Sequence, residues 1–302
     1  MSANINPKSE IRNPKSRVPH SALRNYSVAI VGYGKVGRVL ARGFAGRGYR
    51  LFIVAHKPHP DSWLTRRQKR VVNRIAELPA DMDFVVLCVR DRQIPVLANE
   101  VVKRDGFRRG TVVCHTAGAL SADVLAPIRK VGCLPLAWHP LQTFTGDEDA
   151  DLLKGITFGI DGDPKAVRVG EKMARALGGK PFRVPPELRP LYHLGGVFAC
   201  NLMAALGGIS QDLLKEVGMD ERRSLAALAP LIRTTAQNIS RKELPDAITG
   251  PLKRGDVETI AAHLKVLERH PLAGEIYRVL SRSLLHRLPE VRNRKKLQTL
   301  LG

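Results

Sequence analysis

Residues Ser27–Gly37 read SVAIVGYGKVG, and the fold follows from this run. Ser27–Val31 is short, apolar and without alternation, as in a strand covered on both faces. Gly32, Gly34 and Gly37 then give the spacing G-x-G-x-x-G, and the residues from Lys35 to about Arg47 repeat as an amphipathic helix. Each glycine has a task in a strand–turn–helix unit. Gly32 permits the tight turn, Gly34 lets a pyrophosphate approach the backbone, and Gly37 lets helix and strand pack closely. The helix N-terminus adds free N–H donors and the positive end of its dipole. A dinucleotide is thus the expected ligand of Gly32, Tyr33, Gly34, Lys35, Val36 and Gly37.

The same rhythm continues outward. Apolar strands are expected at Leu51–Ala55, Phe84–Val89, Thr111–His115, Leu134–His139 and Ile156–Ile160, with helical stretches between them, and Pro181–Glu187 reads as a last edge strand and linker. Continuous apolar strands separated by helices imply a parallel sheet covered on both sides. The expected class is α/β, a doubly wound parallel Rossmann-like sheet over residues 27–186. Beyond Glu187 the strand signal stops. Leu188–Lys215, Arg222–Ser240, Val257–Arg269 and Leu272–Leu288 have helical period, with Asp256 as an N-cap. Residues 187–302 are expected to form an all-helical domain for substrate binding and dimerisation. Residues 1–26 are polar and proline-bearing, with NPKS at Asn6–Ser9 and again at Asn13–Ser16. They are expected to be a disordered tail.

Composition narrows the functions. The 302 residues are 44% hydrophobic and 25% charged, which is globular. No apolar run is expected to approach the length of a membrane span, and the N-terminus lacks the apolar segment of a secretory signal. Lys and Arg number 49 against 28 Asp and Glu, a net charge of +21. The basic clusters Arg66–Arg70 and Arg292–Lys296 are not interleaved with aromatics, which make up 5% of the chain, so nucleic acid is not the expected partner. The four cysteines, Cys88, Cys114, Cys133 and Cys200, sit in apolar runs without a Cys-x-x-Cys pair. They read as reduced thiols of a cytoplasmic protein, and no metal site is expected.

The second strand runs into Val54-Ala55-His56-Lys57, with no acid before Asp61. An acidic residue there would hold the ribose diol of NAD; its absence, with His56 and Lys57 in its place, favours the 2′-phosphate of NADP. Ligands of open α/β sheets bind beyond the carboxyl ends of the strands, which places Val89, Arg90 and Asp91, and His115 and Thr116, beside the cofactor. Asp91 could equally cap the helix that follows, and His115 could have a structural role instead.

Hydride transfer needs a partner proton, and imidazole titrates near neutrality. Of the nine histidines, His139 stands at a strand end, where Pro140 holds its backbone extended. His139 is therefore the candidate acid–base or substrate contact, a structural hydrogen-bonding histidine being the alternative. His193 opens a helix face shared with Gly196, Val197, Cys200 and Asn201. With Asn201 it is assigned to catalysis, and Tyr192 and Gly196 to substrate contact. Gly196 could instead serve close helix packing. Gly250 and Arg254, in Thr249–Asp256, are further substrate candidates, Arg254 as a carboxylate clamp or as part of a turn.

Together GYGKVG, VRDRQI, CHTAGAL, HPLQTF, YHLGGVFACN and TGPLKRGD resemble the two-domain proteins that join a Rossmann-like N-terminus to a helical C-terminal domain of unknown function. That family shares its architecture with pyrroline-5-carboxylate reductases, 6-phosphogluconate dehydrogenases and prephenate dehydrogenases. The resemblance implies an NADP-dependent oxidoreductase, dimeric through its helical domain, and supplies no substrate; the leading reading of the chain as a whole is action on a small carbonyl, imine or hydroxy acid. His139-Pro140 resembles the histidine–proline pair of prephenate-type enzymes, although Leu141-Gln142-Thr143 departs from the rest of that motif. A non-catalytic NADP-binding redox sensor is the competing reading.

Overall fold

The computed structural model describes residues 26–55, 69–288 and 290–302. Of the expected tail only Tyr26 is described, and it packs against the core rather than being disordered; residues 1–25, His56, Lys57 and most of the Arg66–Arg70 cluster lie outside the described residues. The described chain divides into two compact units, ending at Cys200 and beginning at Asn201.

The first unit holds β1 (Ser27–Val31), α1 (Lys35–Gly46), β2 (Arg50–Val54), β3 (Lys69–Val72), β4 (Phe84–Leu87), α2 (Ile94–Arg104), β5 (Val112–His115), β6 (Leu134–Leu141), β7 (Thr157–Gly162), α3 (Pro164–Ala176), β8 (Lys180–Arg183) and α4 (Arg189–Val197). The strands form one sheet in the order β3-β2-β1-β4-β5-β6-β7-β8. Period-two geometry splits each strand between two cores. Val28, Ile30, Leu51, Ile53, Phe84 and Val86 face one, with Phe44 of α1 and Met173 of α3. Ala29, Val31, Phe52, Val54, Val85 and Leu87 face the other, with Ile94, Ala98 and Val101 of α2. Apolar residues at every strand position are thus explained by burial on both sides.

Two features depart from the expected sheet. Its edge strand β3, which pairs in parallel with β2, was not expected, because Lys69 and Arg70 mask a four-residue strand. The sheet is also not wholly parallel: β6 and β7 are antiparallel, with His139 opposite Gly159. Only a 3₁₀ turn, Ala150–Leu153, forms between them, so the chain turns back at the same sheet edge instead of crossing over on a helix. The helical stretch before β6 is likewise 3₁₀, Ala122–Val131.

The second unit contains α5 (Met203–Glu216), α6 (Glu221–Arg241), α7 (Leu244–Ala247), α8 (Pro251–Arg254), α9 (Val257–Leu267), α10 (Pro271–Arg287) and α11 (Arg294–Leu301). Its core joins Leu252, Ile260, Leu264, Leu285, Leu297 and Leu301. Asp256 caps α9 as expected, accepting from Thr259 N–H at 3.0 Å. The basic run Arg292–Lys296 proves to lead into α11, whose Leu297 and Leu301 are buried. Several cations are committed to backbone carbonyls here: Arg278 donates to Leu300 at 2.9 Å and Arg294 to Leu285 at 2.8 Å. Part of the basic excess therefore secures helix ends.

The expectation about apolar runs is overturned. No Asp, Glu, Lys or Arg occurs from Leu191 to Gln211, and the helical segment Pro186–Glu216 is long and apolar enough to cross a membrane by length and composition. Small residues and the polar Tyr192, His193 and Asn201 had disguised it.

Candidate active site

The order of the sheet reverses between β1 and its neighbours β2 and β4, which opens a crevice at their carboxyl ends. A cavity of about 1050 Å³ lies there, walled by Gly32, Tyr33, Ala55, Val89 and Arg90 among others. The glycine geometry matches the roles read from sequence. Gly32 has φ +95°, and a Cβ on it would lie 2.4 Å from the Cys88 carbonyl oxygen. A Cβ on Gly37 would meet the Gly32 carbonyl oxygen at 2.1 Å, whereas among the described residues one on Gly34 would meet nothing within 4 Å. Among the described residues the backbone before α1 is thus bare where a pyrophosphate would lie, and no side chain caps the helix. These residues fit a dinucleotide.

Several expected contacts differ. Asp91 opens the 3₁₀ turn Asp91–Gln93 and is not in the cavity wall, whereas Gln93 is. Lys35 lies against Gly146 of the β6–β7 connection and Val36 packs partly on the core, and neither is in the cavity wall. His115 is wholly buried, its Nε2 3.0 Å from the Ser121 carbonyl oxygen, and stabilises a turn. Thr116 Oγ1 donates to the Leu87 carbonyl at 3.4 Å. Asn73 and Arg74, which sequence reasoning missed, wall the cavity; β3 runs parallel to β2 and ends beside it, with Val72 opposite Val54.

A second cluster forms further along the same edge. β4, β5 and β6 are mutually parallel, and at about 4.8 Å per strand β6 stands roughly 10 Å from β4. His139 of β6 meets two residues of α4. Its Nδ1 is 3.3 Å from the Tyr192 hydroxyl, and its ring lies edge-on to His193 with centroids 5.8 Å apart. Two glycines make room. A Cβ on Gly118, beyond β5, would lie 2.3 Å from His193 Cδ2 and 3.0 Å from His139 Nε2. One on Gly159 would lie 2.5 Å from the Tyr192 ring. Gly196 has a packing reason, since its Cβ would reach Leu141 at 2.9 Å, while Gly195 has open space. Gly118→Ala is therefore expected to destabilise the protein by about 1–3 kcal/mol through overpacking. Gly195→Ala should stabilise it by up to about 1 kcal/mol through helix propensity. Denaturant midpoints measure both.

His139 does not titrate near neutrality as expected. Burial, followed by the positive charge of Arg189 and the neighbouring His193 and His115, lowers it from 6.5 to about 3. Burial raises the Tyr192 phenol to about 12. The pair is a neutral imidazole and a neutral phenol, able to orient a polar substrate atom and pass it a proton.

Asn201, Gly250 and Arg254 belong to the second unit. Asn201 is exposed in a π turn, Phe198–Leu202. Gly250, at φ +90°, precedes α8. Arg254 is exposed, 3.9 Å from Asp256.

Comparisons with known proteins bear on the fold. Residues 13–140 match a Rossmann-like domain, and residues 156–284 match a domain of unknown function, DUF2520. The chain joins a Rossmann-like domain to a DUF2520 domain. No curated protein matches it. Among solved structures, this Rossmann–DUF2520 chain resembles a Bacteroides fragilis protein provisionally assigned as an NADP oxidoreductase. That match has 23% identity and a TM-score of 0.67, covering 87% of this chain and 98% of the other. The NADP-bound pyrroline carboxylate reductase of Plasmodium falciparum matches at 12% identity and TM-score 0.58, covering 93% and 100%. An imine reductase of Streptomyces aurantiacus matches at 15% identity and TM-score 0.55, covering 91% and 99%. At these identities the likeness is one of fold.

Proposed function

We propose that the Rossmann–DUF2520 chain is a nicotinamide-dependent oxidoreductase, with NADP preferred, acting on a small carbonyl, imine or hydroxy acid. The observation that carries this reading is the shared sheet edge. The bare Gly34 turn offers a pyrophosphate site there, and the His139–Tyr192–His193 cluster lies two strands from β4. The nicotinamide, when bound, supplies or accepts the hydride. The protein's own part is to hold the pyrophosphate on the α1 N-terminus, to orient the substrate with His139 and His193, and to exchange a proton at the Tyr192 oxygen. NADPH oxidation across a panel of keto acids, aldehydes and cyclic imines tests this. Saturable NADP binding with no turnover on any of them would favour the sensor reading.

Two finer points belong to the proposal. The missing acid after β2, Lys57, and Arg74 in the cavity wall support NADP over NAD. NADP is expected to raise the melting temperature more than NAD, a tenfold affinity gap being about 1.4 kcal/mol at saturation. Lys57→Ala and Arg74→Ala should each narrow the gap, and equal stabilisation by both nucleotides in the wild type would refute the preference.

The chain is also proposed to be a homodimer, in a reducing compartment that keeps its four cysteines free. Leu191, Leu194, Phe198, Leu202, Met203 and Leu206 recur at helical spacing and are all exposed in the single chain. Such a stripe usually marks an interface. Light scattering should give twice the chain mass, and Phe198→Glu should shift it towards monomer. A wild-type monomer at micromolar concentration would rule the dimer out.

A further inference from the structure

Arg189 is the first residue of α4 and wholly buried. Its Nε donates to Asp161 Oδ2, and its Nη2 donates to the Gly159 carbonyl at 3.1 Å. The other Asp161 oxygen accepts from the Ala122 N–H at 2.8 Å. Ala122 follows Ser121, whose carbonyl holds His115. Gly159 stands opposite His139 and seats the Tyr192 ring. A single guanidinium therefore ties the helix carrying Tyr192 and His193 to β7, and through Asp161 to the turn after β5. Arg189 Nη1 and His115 Nδ1 are both buried with no hydrogen-bond partner among the described residues.

A buried ion pair is an uneconomical way to gain stability, since apolar side chains of the same volume do as well or better. An anchor for a helix end needs no charge either. What a guanidinium adds is a planar fork that fixes angles as well as distances, next to a cluster whose proton affinities respond to charge.

We propose that Arg189, with Asp161, is a positioning residue of the candidate site. The fork sets the first turn of α4 so that Tyr192 and His193 meet His139, and its charge adds to burial in disfavouring the imidazolium of His139 and His115. The groups facing His139 are Arg189, Tyr192 and His193 from α4 and His115 from β5. Arg189, His193 and His115 disfavour the imidazolium. At His115, Arg189 acts in the same direction, whereas Asp161 and Asp91 oppose it. The kinetic part rests on the proposed activity; the spectroscopic part does not.

The test uses the full chain with ¹⁵N-labelled histidine and three variants. Arg189→Met/Asp161→Leu removes both charges and leaves no buried ion unpaired. Arg189→Lys keeps the charge without the fork, and Asp161→Asn removes the acid alone. In the charge-free pair the His139 titration is expected to move up by roughly one pH unit. In Arg189→Lys the titration should stay low, while the Tyr192–His139 nuclear Overhauser contact weakens. If turnover is found, kcat should drop by about 10² in either variant, as a small misplacement costs, with the KM for NADPH unchanged. Asp161→Asn, which leaves Arg189 unbalanced, should lower the His115 titration further. A charge-free pair with wild-type His139 titration and intact Tyr192 contact would overturn the proposal. So would an Arg189→Lys protein indistinguishable from wild type in both. Absence of turnover in the wild type would count against the proposed activity and leave the spectroscopic comparison standing.

Discussion

His139→Asn is expected to keep NADP affinity and to lose turnover by roughly 10² to 10⁴, the usual worth of a positioned proton-transfer group. Asn matches imidazole in size and polarity but cannot relay a proton. The loss should be the same from pH 5 to pH 9, because burial and the Arg189 charge hold the His139 imidazole at about 3, well below that window. Tyr192→Phe removes the hydroxyl that lies 3.3 Å from His139 Nδ1 and should act in the same direction, with melting temperature preserved. The double variant should be little worse than the more damaged single, since members of one relay are not additive. Full turnover in His139→Asn would move proton transfer away from β6 and leave that residue as packing.

How far sequence reasoning reached depended on whether a signal was local. The strand–glycine–helix unit was fully legible, since Gly32, Gly34 and Gly37 each answer to backbone sterics within a few residues. The Asp256 cap was legible for the same reason. Strand β3 was not, because an edge strand with Lys69 and Arg70 lacks the doubly buried apolar run that revealed the others. Helix α11 was hidden behind its own basic residues, Leu297 and Leu301 being too few to show a period. His139 and His193 were picked out one by one, from a strand end and a helix start. Their meeting over Gly118 depends on the antiparallel return of β7, which periodicity does not encode. Arg189 carried no signal, because nothing in Glu187-Leu188-Arg189-Pro190 distinguishes a buried arginine from one in solvent. The protonation of His139 was misjudged for a related reason: it depends on burial and on charges brought in from 50 positions away.

The same burial predicts a large dependence of stability on pH. His139 and His115 have folded values of about 3 and about 4, against 6.5 for each in an unfolded chain. Burial is the largest cause for both. Between the folded and unfolded values the unfolded state binds more protons, so stability rises with pH across that window and falls on acidification. The contribution is complete above pH 6.5, and it shrinks progressively as the pH drops towards the folded values. At pH 4.5 each histidine costs the folded state nearly 3 kcal/mol, about 5 kcal/mol together, a large share of a typical stability. Urea midpoints at pH 7.5 and pH 4.5 measure the loss. Carboxylates titrate in the lower part of the same range, so the decisive comparison is with a His115→Gln/His139→Asn chain. That chain lacks both imidazoles and should lose about 5 kcal/mol less on the same pH step, even if it is weaker at pH 7.5. An identical loss in the two proteins would mean that the imidazoles are solvated in solution, and the neutral His139–Tyr192 pair would go with them.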